Sequence, residues 1–246
     1  MRKSTVAVLL IAGIVVLWNL FADLLPFGPG RSAPRDMGAV DWSAIAAWPP
    51  LSEGAEVESV PDPDRTVTVI VLDDSSSMSR DFEAAKRAVL QSLDMMGDGD
   101  RVALLALNAG LILPPTPARE AGAALAERLR PMAPNGSTPL GPAVAAARDL
   151  LATEAARARG FGTYRIIVTT DGVADQPELL AAEVATTVNT TPIAVATIGI
   201  GIGTDHVLNA QGHTSYVAVD DVSRLDAALQ AAIAENSRFD PIQSFE

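Results

Sequence analysis

Apolar runs of strand length recur at 66–72, 101–107, 111–113, 165–170, 193–200 and 215–219, with helical periodicity in the intervals between them. Strands alternating with helices predict an α/β domain, a mostly parallel sheet covered on both faces. Asn108-Ala109-Gly110 stands between two of the runs and reads as a hairpin, so one strand is expected to be antiparallel and at an edge. Between 80 and 96, Phe82, Ala85, Val89, Leu93 and Met96 share one helical face. Ser79 stands where an N-cap would, and Asp81 and Glu83 occupy the first turn, where the helix dipole favours acids. Thr138-Pro139 opens a helix over 139–158 as a cap followed by a first-turn proline. A last helix, 222–235, offers Val222, Leu225, Ala228, Leu229 and Ile233 to the core.

Ahead of this domain the pattern changes. After Arg2 and Lys3, an apolar run fills 5–21 and is first broken at Asn19. Extended to Phe27 it is about 23 residues, enough for one tilted membrane-spanning helix. Trp18 and Phe21 suit the interfacial belt, and the two leading cations favour a cytoplasmic N-terminus with an exported body. The rival is a cleaved signal peptide and a secreted domain, but Leu20-Phe21-Ala22 fits the small-x-small cleavage rule poorly. Eleven prolines and glycines from Pro26 to Pro63 exclude long regular structure, which makes 28–64 a linker. Within it, DWSAIAAWPP (41–50) is a short amphipathic patch that could lie on lipid, dock on the domain or meet a partner. Docking demands the least. The organisation expected is therefore an anchor at 1–27, a linker at 28–64, the α/β domain at 65–235 and a tail at 236–246.

Composition narrows the chemistry. The chain has no cysteine, which removes disulfides, thiolate metal sites and cysteine nucleophiles. A formal net charge of −12 argues against nucleic acid, since no basic surface is available to displace phosphate counterions. Hydrophobic residues make up 48% but aromatics only 4%, so aliphatic side chains must fill the core.

Oxygen-bearing side chains gather where strands end or helices begin, in VIVLDDSSSMS (69–79), NGSTPLGPAV (135–144) and RIIVTTDGVAD (165–175). In an open parallel sheet ligands collect at the carboxyl ends of the strands, so these loops can meet on one rim. Asp73, Ser75, Ser77, Thr138 and Asp171 would then form an all-oxygen set of two carboxylates and three hydroxyls, suited to a hard divalent cation such as Mg2+, with Mn2+ or Ca2+ as alternatives. The bland alternative is a cluster that caps loops with no ion.

Asp73-x-Ser75-x-Ser77-Met78, Gly136-Ser137-Thr138-Pro139-Leu140 and Thr170-Asp171-Gly172 resemble, in order, the three metal-site motifs of the von Willebrand factor type A family. DRVALLALNAGLILPPTP (100–117) and PIAVATIGIGIG (192–203) resemble its intervening strands, and the likeness runs from about 65 to 235. The resemblance implies a doubly wound fold with a metal-ion-dependent adhesion site. It implies direct ligation by Ser75 and Ser77, direct or water-mediated ligation by Thr138, and mainly water-mediated roles for Asp73 and Asp171. Neutral hydroxyls would leave the ion electrophilic, and the resemblance implies that a partner protein completes its shell with an Asp or Glu carboxylate. Two features depart from the family pattern. Asp74 puts an acid at a spacer position, where it could face solvent, tune the site or repel an incoming carboxylate, solvent exposure being the simplest. The helix before the last strand is shortened to about TDHVLNAQGHT.

Three functions follow as expectations. The first is a membrane-tethered, non-enzymatic module that binds a partner protein through the ion. The second is a permanent scaffold subunit of a membrane or ATPase-associated assembly. A metal-dependent hydrolase is third: phosphoaspartate chemistry wants a second acid two residues after Asp73, where Ser75 stands. His206 and His213 lie near a loop, where a lone histidine is usually solvated.

Overall fold

The computed structural model describes residues 37–50, 57–59, 61–210 and 212–235. Its strands are β1 (Thr66–Leu72), β2 (Arg101–Ala106), β3 (Gly110–Pro117), β4 (Thr163–Thr170), β5 (Ala194–Ile200) and β6 (Ser215–Val219). They form one sheet in the order β3-β2-β1-β4-β5-β6, with only β3 antiparallel to its neighbour. The mostly parallel sheet and the antiparallel edge strand are as expected. β3 runs on through three prolines because an edge strand has one side of its ladder free, and a missing N–H costs little there.

The helices are α1 (Trp42–Ala47), α2 (Phe82–Ser92), α3 (Ala118–Leu129), α4 (Leu140–Arg157), α5 (Pro177–Thr190) and α6 (Leu225–Glu235). Side-chain alternation along β1 feeds two cores. Val67, Val69 and Val71 pack with Leu140, Val144, Leu151, Leu180 and Val184 from α4 and α5. Ile70 and Leu72 face the other way, among Phe82, Val89, Leu125, Leu225, Leu229 and Ile233 from α2, α3 and α6. Each such side chain, fully buried, contributes roughly 1.5–3 kcal/mol.

Helix starts depart from expectation. The stretch 80–96 is divided into a 3-10 turn at Ser76–Arg80, then α2, then a 3-10 turn at Leu93–Met95. Ser79 caps nothing: its hydroxyl donates to the Ser76 carbonyl at 2.5 Å, closing the first of those turns. Thr138 is likewise not the cap of α4, which begins at Leu140. Its carbonyl accepts from Leu140 N at 2.9 Å, and its side chain is released toward the rim. The segment between β5 and β6 holds no regular helix among its described residues, but Leu208, Ala210 and His206 are buried. His206 is therefore a packed residue and not a solvated one, with Nδ1 accepting from Leu208 N at 3.2 Å.

The amphipathic patch docks on the domain. Asp41 caps α1 by accepting from Ser43 N and Ala44 N, both at 3.0 Å. Asp41 N donates to Asn189 O at 2.8 Å, and Asn189 Nδ2 donates to Met37 O, tying the segment to the end of α5. The Trp48 ring sits edge-on to Tyr164 at 5.0 Å. Further on, Glu58 N donates to Arg157 O at 2.8 Å, while Arg65 grips the Glu58 carboxylate at 2.7 and 2.8 Å. These anchor points all lie where strands begin and helices end. The chain thus enters the domain at the pole opposite the carboxyl ends of the strands.

Among the described residues no helix is long and apolar enough to cross a membrane. The stretch 5–27, read above as an anchor, and the tail 236–246 lie outside the described residues.

Candidate metal site

Asp73 is the first residue past β1, and Asp171 the first past the adjacent β4. The register that pairs Leu72 with Thr169 brings these two strand ends to the same rim. Asp73 is wholly buried, and its carboxylate is oriented by two donors: Ser75 N at 2.9 Å and Thr170 Oγ1 at 2.6 Å. From there hydroxyls lead outward. Ser75 Oγ lies 2.9 Å from Ser77 Oγ, and Ser77 Oγ donates to Asp171 Oδ1 at 2.6 Å. Thr138 closes the group from the third loop. A Cβ on Gly172 would stand 3.7 Å from Thr138 Oγ1 and 3.9 Å from Ser77 Oγ, so both hydroxyls border the space beside Asp171.

All five residues singled out in the sequence are therefore brought together. Burial is the first cause holding Asp171 above the usual carboxylate range, and the charges of Asp73 and Asp81 add to it; the Ser77 hydroxyl opposes the shift. Two acids share a partly desolvated rim, and the shortest bonds of the cluster are hydroxyls serving them. A hard cation would relieve that repulsion, and the donors are the oxygens such an ion takes. Among the described residues no group of three or more His, Cys, Asp or Glu is placed to hold a metal, so any ion here must rely on the hydroxyls.

Residues 68–173 match the sequence profile of the von Willebrand factor type A domain. Over that stretch the chain carries a von Willebrand factor type A domain. Its fold is similar to that of a von Willebrand factor type A protein from Catenulispora acidiphila, with a TM-score of 0.60, 23% identity, and coverage of 73% of this chain and 46% of that one. The pilus adhesin SpaC from Lactobacillus rhamnosus GG gives a TM-score of 0.58 at 17% identity, over 74% of this chain and 31% of SpaC. The manganese-loaded TRAP protein of Plasmodium vivax gives 0.52 at 16% identity, over 72% of this chain and 76% of that one. At these identities the likeness is one of fold, and the chain spans less than half the length of the first two proteins. No curated protein matches the chain in sequence.

Within the type A domain, several residues that support the rim were not foreseen. Thr170, the last residue of β4, orients Asp73 and also accepts from Gly172 N at 3.2 Å. Asp175 grips Thr138 from both sides: its Oδ1 accepts from Thr138 N at 3.1 Å, and its own N donates to Thr138 O at 3.0 Å. Asp74 does not face solvent. It is wholly buried, with Oδ1 accepting from Asn108 N at 2.7 Å and Oδ2 from Ala109 N at 3.1 Å. The signal for Thr170 and Asp175 was present in the quoted motif, as polar residues flanking Asp171, but their partners lie in other loops.

The raised Asp171 carboxyl has a consequence for stability. Its folded value lies above the 3.8 of the unfolded chain, so the native state binds the proton more tightly. Stability in the absence of metal then falls as pH rises from near 3.8 through the folded value, and the loss persists at neutral pH. Asp171→Asn, which keeps an acceptor for Ser77, is expected to unfold at a higher temperature than wild type in chelator at pH 7, the gap narrowing toward pH 4. Thermal melts across that range check it; a gap that widens on acidification contradicts it.

Proposed function

We propose that the protein is a membrane-tethered binding module that captures an Asp or Glu carboxylate of a partner protein through a divalent cation on this rim. Asp73, Ser75, Ser77, Thr138 and Asp171 would hold the ion, with Mg2+ as first candidate and Mn2+ or Ca2+ as alternatives. The observation that carries the reading is the meeting of three loops at Ser77, Asp171 and Thr138. Donors of this kind leave a bound ion short of negative charge, so it still attracts an anion. The fold neighbours add support: one is a pilus adhesin, and another holds manganese.

The proposed anchor at 5–27 would place the N-terminus in the cytoplasm and the domain outside it, or release a secreted domain if cleaved. The described segment 37–50 packs at the pole opposite the rim, so it leaves the rim open to a partner. A second reading, a permanent scaffold subunit, is favoured by Trp42, which is 75% exposed on the docked α1. The two separate in one experiment. The full chain is used to co-purify partners with Mg2+ or with chelator, alongside Thr138→Ala. Capture lost in chelator and in the variant is expected; capture that survives both favours the scaffold.

A further inference from the structure

We infer that Asp74 and Asn108 form a bracket that sets the position of the threonine loop, and through it the affinity of the rim for its cation; this second half rests on the binding reading above. Asp74 stands beside Asp73 yet faces away from the hydroxyl cluster, toward the β2–β3 hairpin. A buried carboxylate is tolerated only when donors surround it. The hairpin tip supplies all three: Asn108 N at 2.7 Å, Asn108 Nδ2 at 3.1 Å and Ala109 N at 3.1 Å. The same Asn108 amide nitrogen reaches the threonine loop, donating to Ser137 O at 2.9 Å.

The backbone completes the bracket. Asn135 N donates to the Asp74 carbonyl at 2.7 Å, and the Gly136 carbonyl accepts from Ser76 N at 3.2 Å and Ser76 Oγ at 3.0 Å. Gly136 has φ +77, and a Cβ there would come within 2.4 Å of Asn108 Oδ1. Asn108 thus lies flat against the turn, and both the backbone conformation and the close approach require glycine. With Asp175 gripping Thr138 from the other side, the loop is held at both ends. A hairpin that contributes no oxygen to the cluster therefore governs where the Thr138 hydroxyl stands.

The test is Asn108→Ala in the full chain. The residue is exposed, and the substitution removes both Nδ2 bonds while leaving the two backbone donors to Asp74. In metal-free protein, hydrogen exchange at the Asn135 and Ser76 amides is expected to quicken about tenfold, with the unfolding midpoint lowered by only about 3–6 °C. Mg2+ affinity by calorimetry is expected to fall about 10–100-fold, the usual effect of losing a group that orients a metal ligand. Asn108→Asp keeps the shape but replaces the donor with an acceptor beside Asp74, so it should be at least as damaging. Unchanged exchange in Asn108→Ala, or recovery in Asn108→Asp, overturns the bracket. Faster exchange with undiminished Mg2+ affinity overturns the link to the ion. A wild type that takes no Mg2+ removes the binding reading and the affinity half with it, while the exchange measurement still decides the bracket.

Discussion

Saturating Mg2+ is expected to raise the unfolding midpoint of the wild-type chain by about 5–10 °C, and Asp171→Ala to abolish the rise. An ion at a hundred times its dissociation constant adds about 2.7 kcal/mol when it binds only the folded state. For a domain of this size each kcal/mol moves the midpoint by roughly 2–4 °C. The sign comes from the rim itself. Asp73 is buried, and Asp171 is held above the usual carboxylate range by burial and by the charge of Asp73. A cation converts that repulsion into attraction, whereas Asp171→Ala removes both the strain and the ligand. Calorimetric titration and melts on the same samples measure it. No saturable heat and no shift in wild type would leave a hydroxyl–carboxylate cluster that only fastens loops. Any fragment used should begin before Met37, because Met37, Asp41 and Trp48 contact the domain.

Arg165→Ala is expected to cost about 3 kcal/mol and to lower the midpoint by roughly 6–12 °C, with the loss concentrated at the last helix. Arg165 lies on β4 under α6, buried, and desolvation depresses the basicity of its guanidinium. Its Nε donates to Thr68 Oγ1 at 2.7 Å, and its Nη1 to Ile233 O at 2.7 Å and Ala232 O at 3.3 Å. Cationic donors at the carboxyl end of a helix bond its last carbonyls and complement the helix dipole. Alanine would remove the guanidinium donor from these acceptors and open a void beneath α6. Arg165→Lys should recover only part of the loss, since an ammonium lacks the fork that spans Thr68 and the helix end. Hydrogen exchange resolved by segment checks the location. A uniform loss across the sheet, with α6 no worse than β1, would contradict it.

The two effects also bear on whether α6 would move if the rim gained an acidic ligand. Leu225, Leu229 and Ile233 are buried and Arg165 grips the far end, so any displacement must first break these contacts. The Arg165 variant is where such movement would be easiest to detect.

Much of this protein was legible before its structure. The alternation of strand runs and helical stripes predicted the parallel sheet, and Asn108-Ala109-Gly110 marked the antiparallel edge. Both depend on local backbone preference and side-chain periodicity, which act within a few residues. The five rim residues were legible for a related reason: a parallel sheet delivers every strand end to one side, so a motif at a strand end has its position largely prescribed. Helix starts were less so. Ser79 and Thr138 have the chemistry of caps, but competing bonds to Ser76, Leu140 and Asp175 decided otherwise.

What tertiary structure alone decided is where the polar groups of one loop find partners in another. Asp74 looked like a solvent-facing spacer because nothing nearby in sequence can satisfy it, and its donors lie 34 and 35 residues away. His206 is buried because the shortened loop folds inward. Met37, Asp41, Trp48 and Glu58 are held on the domain by α5, Tyr164 and Arg65, contacts that no local pattern encodes. Local periodicity sets the elements and the ends they present. Satisfying buried charge is a property of the assembled fold, and it chose the partners.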